Sequence, residues 1–190
     1  MREFREAPRA FLFFGVFTGF PELFDRARAS IVRDYGPLHP RGESPAFPFP
    51  PTETYGRTMG PGLLRKFFVL ARLWPQDRLA EVKRRAVAIE AEIAAERTFP
   101  VDRPINIDPG LLNDCRIILA STKDCSHRIY RGLGVWEEVT LRYERGAYRT
   151  LPWTYRDFAS PEYHEFFEPF RREILERLRS ERGAGPGTPP

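Results

Sequence analysis

Apolar residues follow two different rhythms along this chain. Arg9–Phe17 (RAFLFFGVF) and Leu64–Trp74 (LRKFFVLARLW) are compact apolar runs rich in aromatic and β-branched residues, which predicts buried strands. Elsewhere the apolar spacing changes to three and four. Leu23, Ala27, Ile31 and Tyr35 follow Thr18-Gly19-Phe20-Pro21-Glu22 and stop at Gly36-Pro37, the pattern of a helix opened by Pro and closed by Gly. Pro75-Gln76-Asp77 opens a second helix, whose stripe is Leu79, Val82, Ala86, Ile89 and Ile93 and whose opposite face carries Glu81, Arg84, Arg85 and Glu92. Ser160-Pro161-Glu162 begins a third, with Ser as N-cap and Pro in the first turn, and Tyr163, Phe166, Phe167, Phe170, Ile174 and Leu178 form its buried face.

The segments between these elements are shorter and more polar. Arg116–Ala120 predicts a strand. Ser126–Tyr130 and Val135–Tyr143, joined by Arg131-Gly132-Leu133-Gly134, predict a hairpin, and Arg145-Gly146-Ala147 turns into a further strand through Leu151. Leu38–Gly62 is rich in Pro and Gly. Within it Ala46–Pro50 is an edge strand at most, because Pro removes ladder donors, and Thr52–Gly62 reads as a polar loop. Asp108-Pro109-Gly110 has the form of a turn. The expected fold is α+β: a ferredoxin-like βαββαβ core with an added C-terminal antiparallel hairpin region and a final helix. Residues 1–8 are expected to be a flexible N-terminus, 9–180 a single domain, and 181–190 a disordered Gly/Pro tail.

Composition narrows the function classes. The hydrophobic fraction of 42% and charged fraction of 29% are those of a globular protein. No run of 18 apolar residues is present and the N-terminal residues do not read as a secretory signal, so no membrane span is expected and the cytoplasm is the expected location. The net charge of +4 arises from scattered arginines without an RRM, KH or zinc-finger signature, so nucleic acid is not indicated. Cys115 and Cys125 match no common zinc spacing and read as unpaired thiols. A P-loop, G-x-S-x-G and H-E-x-x-H are absent, as is a pair of His-x-Ser/Thr motifs.

The densest chemistry lies in Ser121–Tyr130 (STKDCSHRIY), directly after a predicted strand. A hairpin centred on Gly132-Leu133 sets Arg128 opposite Glu137 and His127 opposite Glu138. Alternation then places Glu137 with Val135, Val139, Leu141 and Tyr143 on the apolar face, where a carboxylate needs a partner, and Arg128 is the natural one. Such a pair fits a ligand site or a structural ion pair equally. Lys123 and Asp124 sit at a predicted strand end, where ligands favour binding. Tyr55, Trp153 and Tyr155 fall in predicted loops, where amphipathic rings line pockets or partner surfaces.

Six ordered motifs carry a resemblance. Met59-Gly60-Pro61-Gly62-Leu63, Asn106-Ile107-Asp108-Pro109-Gly110, Ser121-Thr122-Lys123-Asp124, His127-Arg128-Ile129-Tyr130, Glu138-Val139-Thr140-Leu141 and Pro152-Trp153-Thr154-Tyr155 together resemble a prokaryotic family labelled domain of unknown function 4416. The likeness runs from about Arg9 to Leu178. It implies a stand-alone cytoplasmic protein with a polar motif set and carries no activity. Where this chain has Glu137, the family suggests a residue like Ala, which shifts interest to Glu138.

Two expectations follow. In the first, a small anionic or phosphorylated ligand binds Lys123, Asp124, Arg128 and Asp108, beside Tyr55, Trp153 and Tyr155. His127 would act as an acid or base, and Glu138 would orient it or, with Asp108 and Asp124, hold a divalent cation. In the second, the chain is a non-catalytic protein-interaction module and the polar cluster is structural. The residues name no cofactor and no particular protein partner.

Overall fold

The computed structural model describes residue 4, residues 6–50 and residues 53–183. Expectations for the extreme N-terminus and the Gly/Pro tail fall largely on residues 1–3, 5 and 184–190, which lie outside the described residues.

The chain runs β1 (Ala10–Thr18), α1 (Glu22–Tyr35), β2 (Leu38–Glu43), β3 (Phe47–Pro48), α2 (Glu53–Met59), β4 (Leu64–Trp74), α3 (Leu79–Ala95), β5 (Ile105–Leu112), β6 (Arg116–Ser121), β7 (Ile129–Tyr130), β8 (Trp136–Glu144), β9 (Ala147–Thr150) and α4 (Pro161–Gly183). The strands form one antiparallel sheet in the order β2-β4-β1-β5-β6-β8-β7, with β3 on β4 and β9 on β8. The α+β class is therefore observed. The stripes of α1 and α3 pack on one face, against Ala10, Leu12, Phe14 and Val16 of β1. α4 packs its aromatic stripe on the other, against Phe11, Phe13 and Phe67. Its start is as predicted: the Tyr163 N–H donates to Ser160 Oγ at 3.4 Å.

Both sheet faces are thus apolar, which is why β1 reads as a continuous hydrophobic run rather than an alternation. This arrangement also explains three departures from the expected elements. β2, read as loop, pairs with β4 at the sheet edge, where Pro40 is tolerated. Residues 53–59, also read as loop, form α2. Tyr55 and Met59, four residues apart, pack on Phe17 and Phe49, and Gly56 between them masks the helical spacing.

The third departure matters most for the site. Asp108-Pro109-Gly110 is not a turn; it lies inside β5, a central strand. β5 pairs with β1 along its whole length, but with β6 only from Gly110 onward (Gly110↔Leu119). Before that point the two strands part. The Ile107 N–H donates to Glu90 Oε1 (2.7 Å), and the Ile107 carbonyl accepts from Lys83 Nζ (3.0 Å). Two side chains of α3, seven residues or two helical turns apart, thus replace the missing ladder. Pro109, two residues on, faces the same side, so its missing N–H costs no strand bond. Gly110 is needed for packing: a Cβ there would lie 2.4 Å from Phe13 Cζ and 2.5 Å from the Ile118 carbonyl oxygen.

Candidate functional site

The separation of β5 from β6 opens a cleft of about 400 Å³ on the α4 face of the sheet, within the range of small-molecule sites. Its inner surface comes from one row of strand positions. Arg65, Phe17 and Asn106 are cross-strand partners, as are Phe67, Gly15 and Asp108. Ser121 and Leu119 of β6 and Glu138 of β8 continue the row. α2 and the 49–50 segment supply Tyr55 and Phe49, and residues 153–157 close the far side with Trp153, Thr154, Tyr155, Arg156 and Asp157.

A chain of charges crosses the cleft. Lys83 reaches in from α3 on the opposite face, and its Nζ donates to Asp108 Oδ1 at 2.9 Å. Asn106 Nδ2 donates to Asp108 Oδ2 at 2.7 Å, and Arg103 donates to Asn106 Oδ1 and, at 2.9 Å, to Glu90 Oε2. Burial opposes ionisation of Asp108, but Lys83 and Arg65 with these hydrogen bonds outweigh it and hold the carboxyl below its ordinary value. Burial does the reverse to Glu90, raising its carboxyl despite Lys83 and Arg103.

Arg65 is the least satisfied of these groups. It is only 4% exposed, and its guanidinium lies 4.8 Å from the Phe17 ring centroid and 4.9 Å from that of Phe49. Gly15 leaves room for it: a Cβ there would come within 3.3 Å of Arg65 Nη1. Its ion-pair partner is Asp157, 7% exposed, with Nε and Oδ2 3.3 Å apart, yet neither atom makes a hydrogen bond among the described residues. Burial opposes the charge on Arg65, but Asp157, Tyr163, Asp108 and Tyr55 together outweigh it and keep the guanidinium cationic.

The hairpin motif is built differently from the expected register. β7 pairs as Ile129↔Glu137 and Tyr130↔Trp136, one residue away from the sequence reading. β8 also carries a bulge at Thr140, because Ile117 faces Leu141 while Ile118 faces Val139. Alternation breaks there. Glu138 therefore shares the α4 face with Leu141, and Glu137 shares the other face with Val135. Arg128 accordingly pairs with Glu138 and not with Glu137, whose partner is Arg131 at 3.3 Å. Glu138, 3% exposed, accepts from Arg128 Nε (2.7 Å) and Thr140 Oγ1 (3.1 Å) and lies 3.1 Å from His127 Nε2.

Every guanidinium nitrogen of Arg128 is engaged. Its Nη1 donates to Ser121 Oγ (2.7 Å) and the Lys123 carbonyl (2.8 Å), and its Nη2 donates to the Tyr155 hydroxyl (2.7 Å). Pro152-Trp153-Thr154-Tyr155 caps a gap in the sheet edge. β7 covers β8 only at residues 136–137 and β9 only from Leu141, so the Val139 and Thr140 carbonyls accept instead from Trp153 Nε1 and Thr154 Oγ1. His127 stacks on Trp153 with centroids 5.1 Å apart and planes at 11°. Burial, with Glu138 nearby, pushes the Tyr155 hydroxyl up to about 12.

The residues singled out from the sequence thus divide. Lys123, Asp108, Glu138, Tyr55, Trp153 and Tyr155 line the cleft. His127 and Arg128 stand behind its wall in the Glu138 network, and Asp124 is exposed outside the lining. Among the described residues no group of three or more His, Cys, Asp or Glu side chains is placed to hold a metal, so Asp108, Asp124 and Glu138 do not gather around a cation. Arg65, Asp157, Lys83 and Arg103 are not among the candidates read from the sequence, and Asn106 enters there only within a motif. A signal exists for two of them: Arg65 alternates with Phe67 and Val69 in a strand, and Lys83 follows the buried Leu79 by four.

The molecule is an α+β protein with a charged, aromatic-walled cleft where two central strands part. The chain belongs to the family described as domain of unknown function (DUF4416), which matches residues 8–173. No curated protein and no solved structure matches it. Among the described residues no helix is long and apolar enough to cross a membrane.

Proposed function

We propose that this protein binds a small molecule in the β5–β6 cleft through an anionic group. The observation that carries this reading is Arg65, a buried guanidinium whose Nε makes no hydrogen bond and which lines the cleft beside aromatic rings. A guanidinium held this loosely is costly to bury, and a carboxylate or phosphate accepting from its cleft-facing nitrogens would offset that cost. The lining carries five cationic side chains (Arg65, Lys83, Arg103, Lys123 and Arg156) against three carboxylates (Asp108, Glu138 and Asp157). Lys123 and Arg156 are exposed, which suits steering an anion inward. Arg128, expected to hold the ligand, serves in this reading as a positioning residue that fixes Tyr155 and the Lys123 segment. A ferredoxin-like core is the matching reading of the fold, supported by the antiparallel order β2-β4-β1-β5.

Calorimetric titration with inorganic phosphate, aromatic carboxylates and nucleoside monophosphates tests the proposal. At least one anion binds the unmodified protein, Arg65→Lys weakens it about tenfold or more through loss of the planar fork, and Lys123→Ala weakens it without loss of stability. No binding by any of them at millimolar concentration overturns it. A second reading, an interaction module, draws on exposed Ile129, Tyr130 and Leu133 at the hairpin tip. Loss of self-association or partner capture in Ile129→Ser/Leu133→Ser, with unchanged anion binding, would favour it.

A further inference from the structure

Most charges of the inner cleft already have partners. Lys83 holds Asp108, Arg103 holds Glu90, and Arg128 holds Glu138. The loosest of these ion pairs is Arg65 with Asp157. Both residues are more than nine-tenths buried and both line the cleft, so a ligand meets them through their other polar atoms; Nε and Oδ2, closed off from solvent, lie 3.3 Å apart without a hydrogen bond. The Tyr163 hydroxyl close to them is also buried without a partner. Buried polar groups are very rarely left this way in adjacent positions. An anion alone would satisfy Arg65 and leave Asp157 worse off, because two negative groups would then face one guanidinium.

The complement of an adjacent guanidinium and carboxylate is a molecule that carries a carboxylate and an ammonium on one carbon. Phe49, Tyr55, Trp153 and Tyr155 also line the cleft and offer apolar rings to a flat group. Resting on the anion reading above, we infer that the cleft takes an α-amino acid or an amino-acid-like zwitterion with a planar side chain. Its carboxylate accepts from Arg65, its ammonium donates to Asp157, and its ring lies against the aromatic lining.

Matched probes test this on the unmodified protein. L-phenylalanine carries both charges, 3-phenylpropionate only the carboxylate, phenethylamine only the ammonium, and L-alanine both charges without the ring. Calorimetry or a thermal shift is expected to rank phenylalanine about tenfold or more above each of the other three. Asp157→Asn removes that preference by weakening phenylalanine while 3-phenylpropionate binds as well as before or more tightly. A purely structural Asp157 would weaken both together, and that result overturns the inference. So does equal binding of phenylalanine and 3-phenylpropionate, which leaves the anion reading intact. Equal binding of alanine and phenylalanine overturns the part given to the aromatic lining. Failure of all four probes, with phosphate or a nucleotide still bound, rejects the zwitterion alone; failure of every anion rejects both readings.

Discussion

Replacing Glu138 with alanine isolates the part of the hairpin motif that holds the cleft wall. The carboxylate is buried, and it satisfies Arg128 Nε and Thr140 Oγ1 while pairing with His127. The Arg128 side chain is itself only 5% exposed, so the substitution strands a guanidinium that water barely reaches. Breaking a buried pair from one side costs about 3–5 kcal/mol, and for a chain of this length each kcal/mol lowers the melting temperature by about 2–4 °C. The expected drop is therefore about 6–20 °C. Glu138→Gln keeps an acceptor and loses only the charge, so its effect is smaller. Arg128→Met/Glu138→Leu removes both charges and recovers most of the loss. Because Arg128 also holds Ser121, the Lys123 carbonyl and Tyr155, Glu138→Ala should in addition weaken the near-ultraviolet circular dichroism of the aromatic wall. Thermal and urea denaturation of the four proteins, with matched spectra, checks the series. A drop below about 2 °C for Glu138→Ala, or a double variant no better than the single, would refute the reasoning.

Two further outcomes follow from the region where β5 leaves β6. Asp108 ionises below its ordinary value in the folded chain, so the unfolded state binds more protons in acid. Its contribution is complete above an ordinary Asp pKa of about 3.9 and is lost as pH falls through the folded value. Melting temperature against pH should thus fall below about pH 4, and Asp108→Asn should flatten that limb; an unchanged acid limb would contradict the pairing with Lys83. Gly110→Ala should destabilise the protein by about 1–3 kcal/mol or more in urea, since the Ile118 carbonyl cannot yield as a flexible side chain would. A neutral result would mean that the β5–β6 contact is looser than described.

The periodic pattern by itself determined β1, β4, α1, α3 and α4, because burial on a helix stripe or in a strand is written at fixed spacing. It also located the motifs that line the cleft, since Asp108, Lys123, Glu138, Trp153 and Tyr155 stand out as polar or amphipathic groups beside apolar runs. Which of them are free to act was decided by the tertiary structure. A bulge at Thr140 and a one-residue shift in β7 moved Arg128 from Glu137 to Glu138, and neither is visible in an alternation counted along one strand. Asp108-Pro109-Gly110 carries turn residues, yet it lies in a central strand because α3 supplies Lys83 and Glu90 where β6 is missing. Arg65 and Asp157 are 92 positions apart in the numbering and meet only through the sheet and the segment before α4. Their unmet hydrogen bonds arise from that meeting, so a linear pattern could mark the residues but not the demand they share.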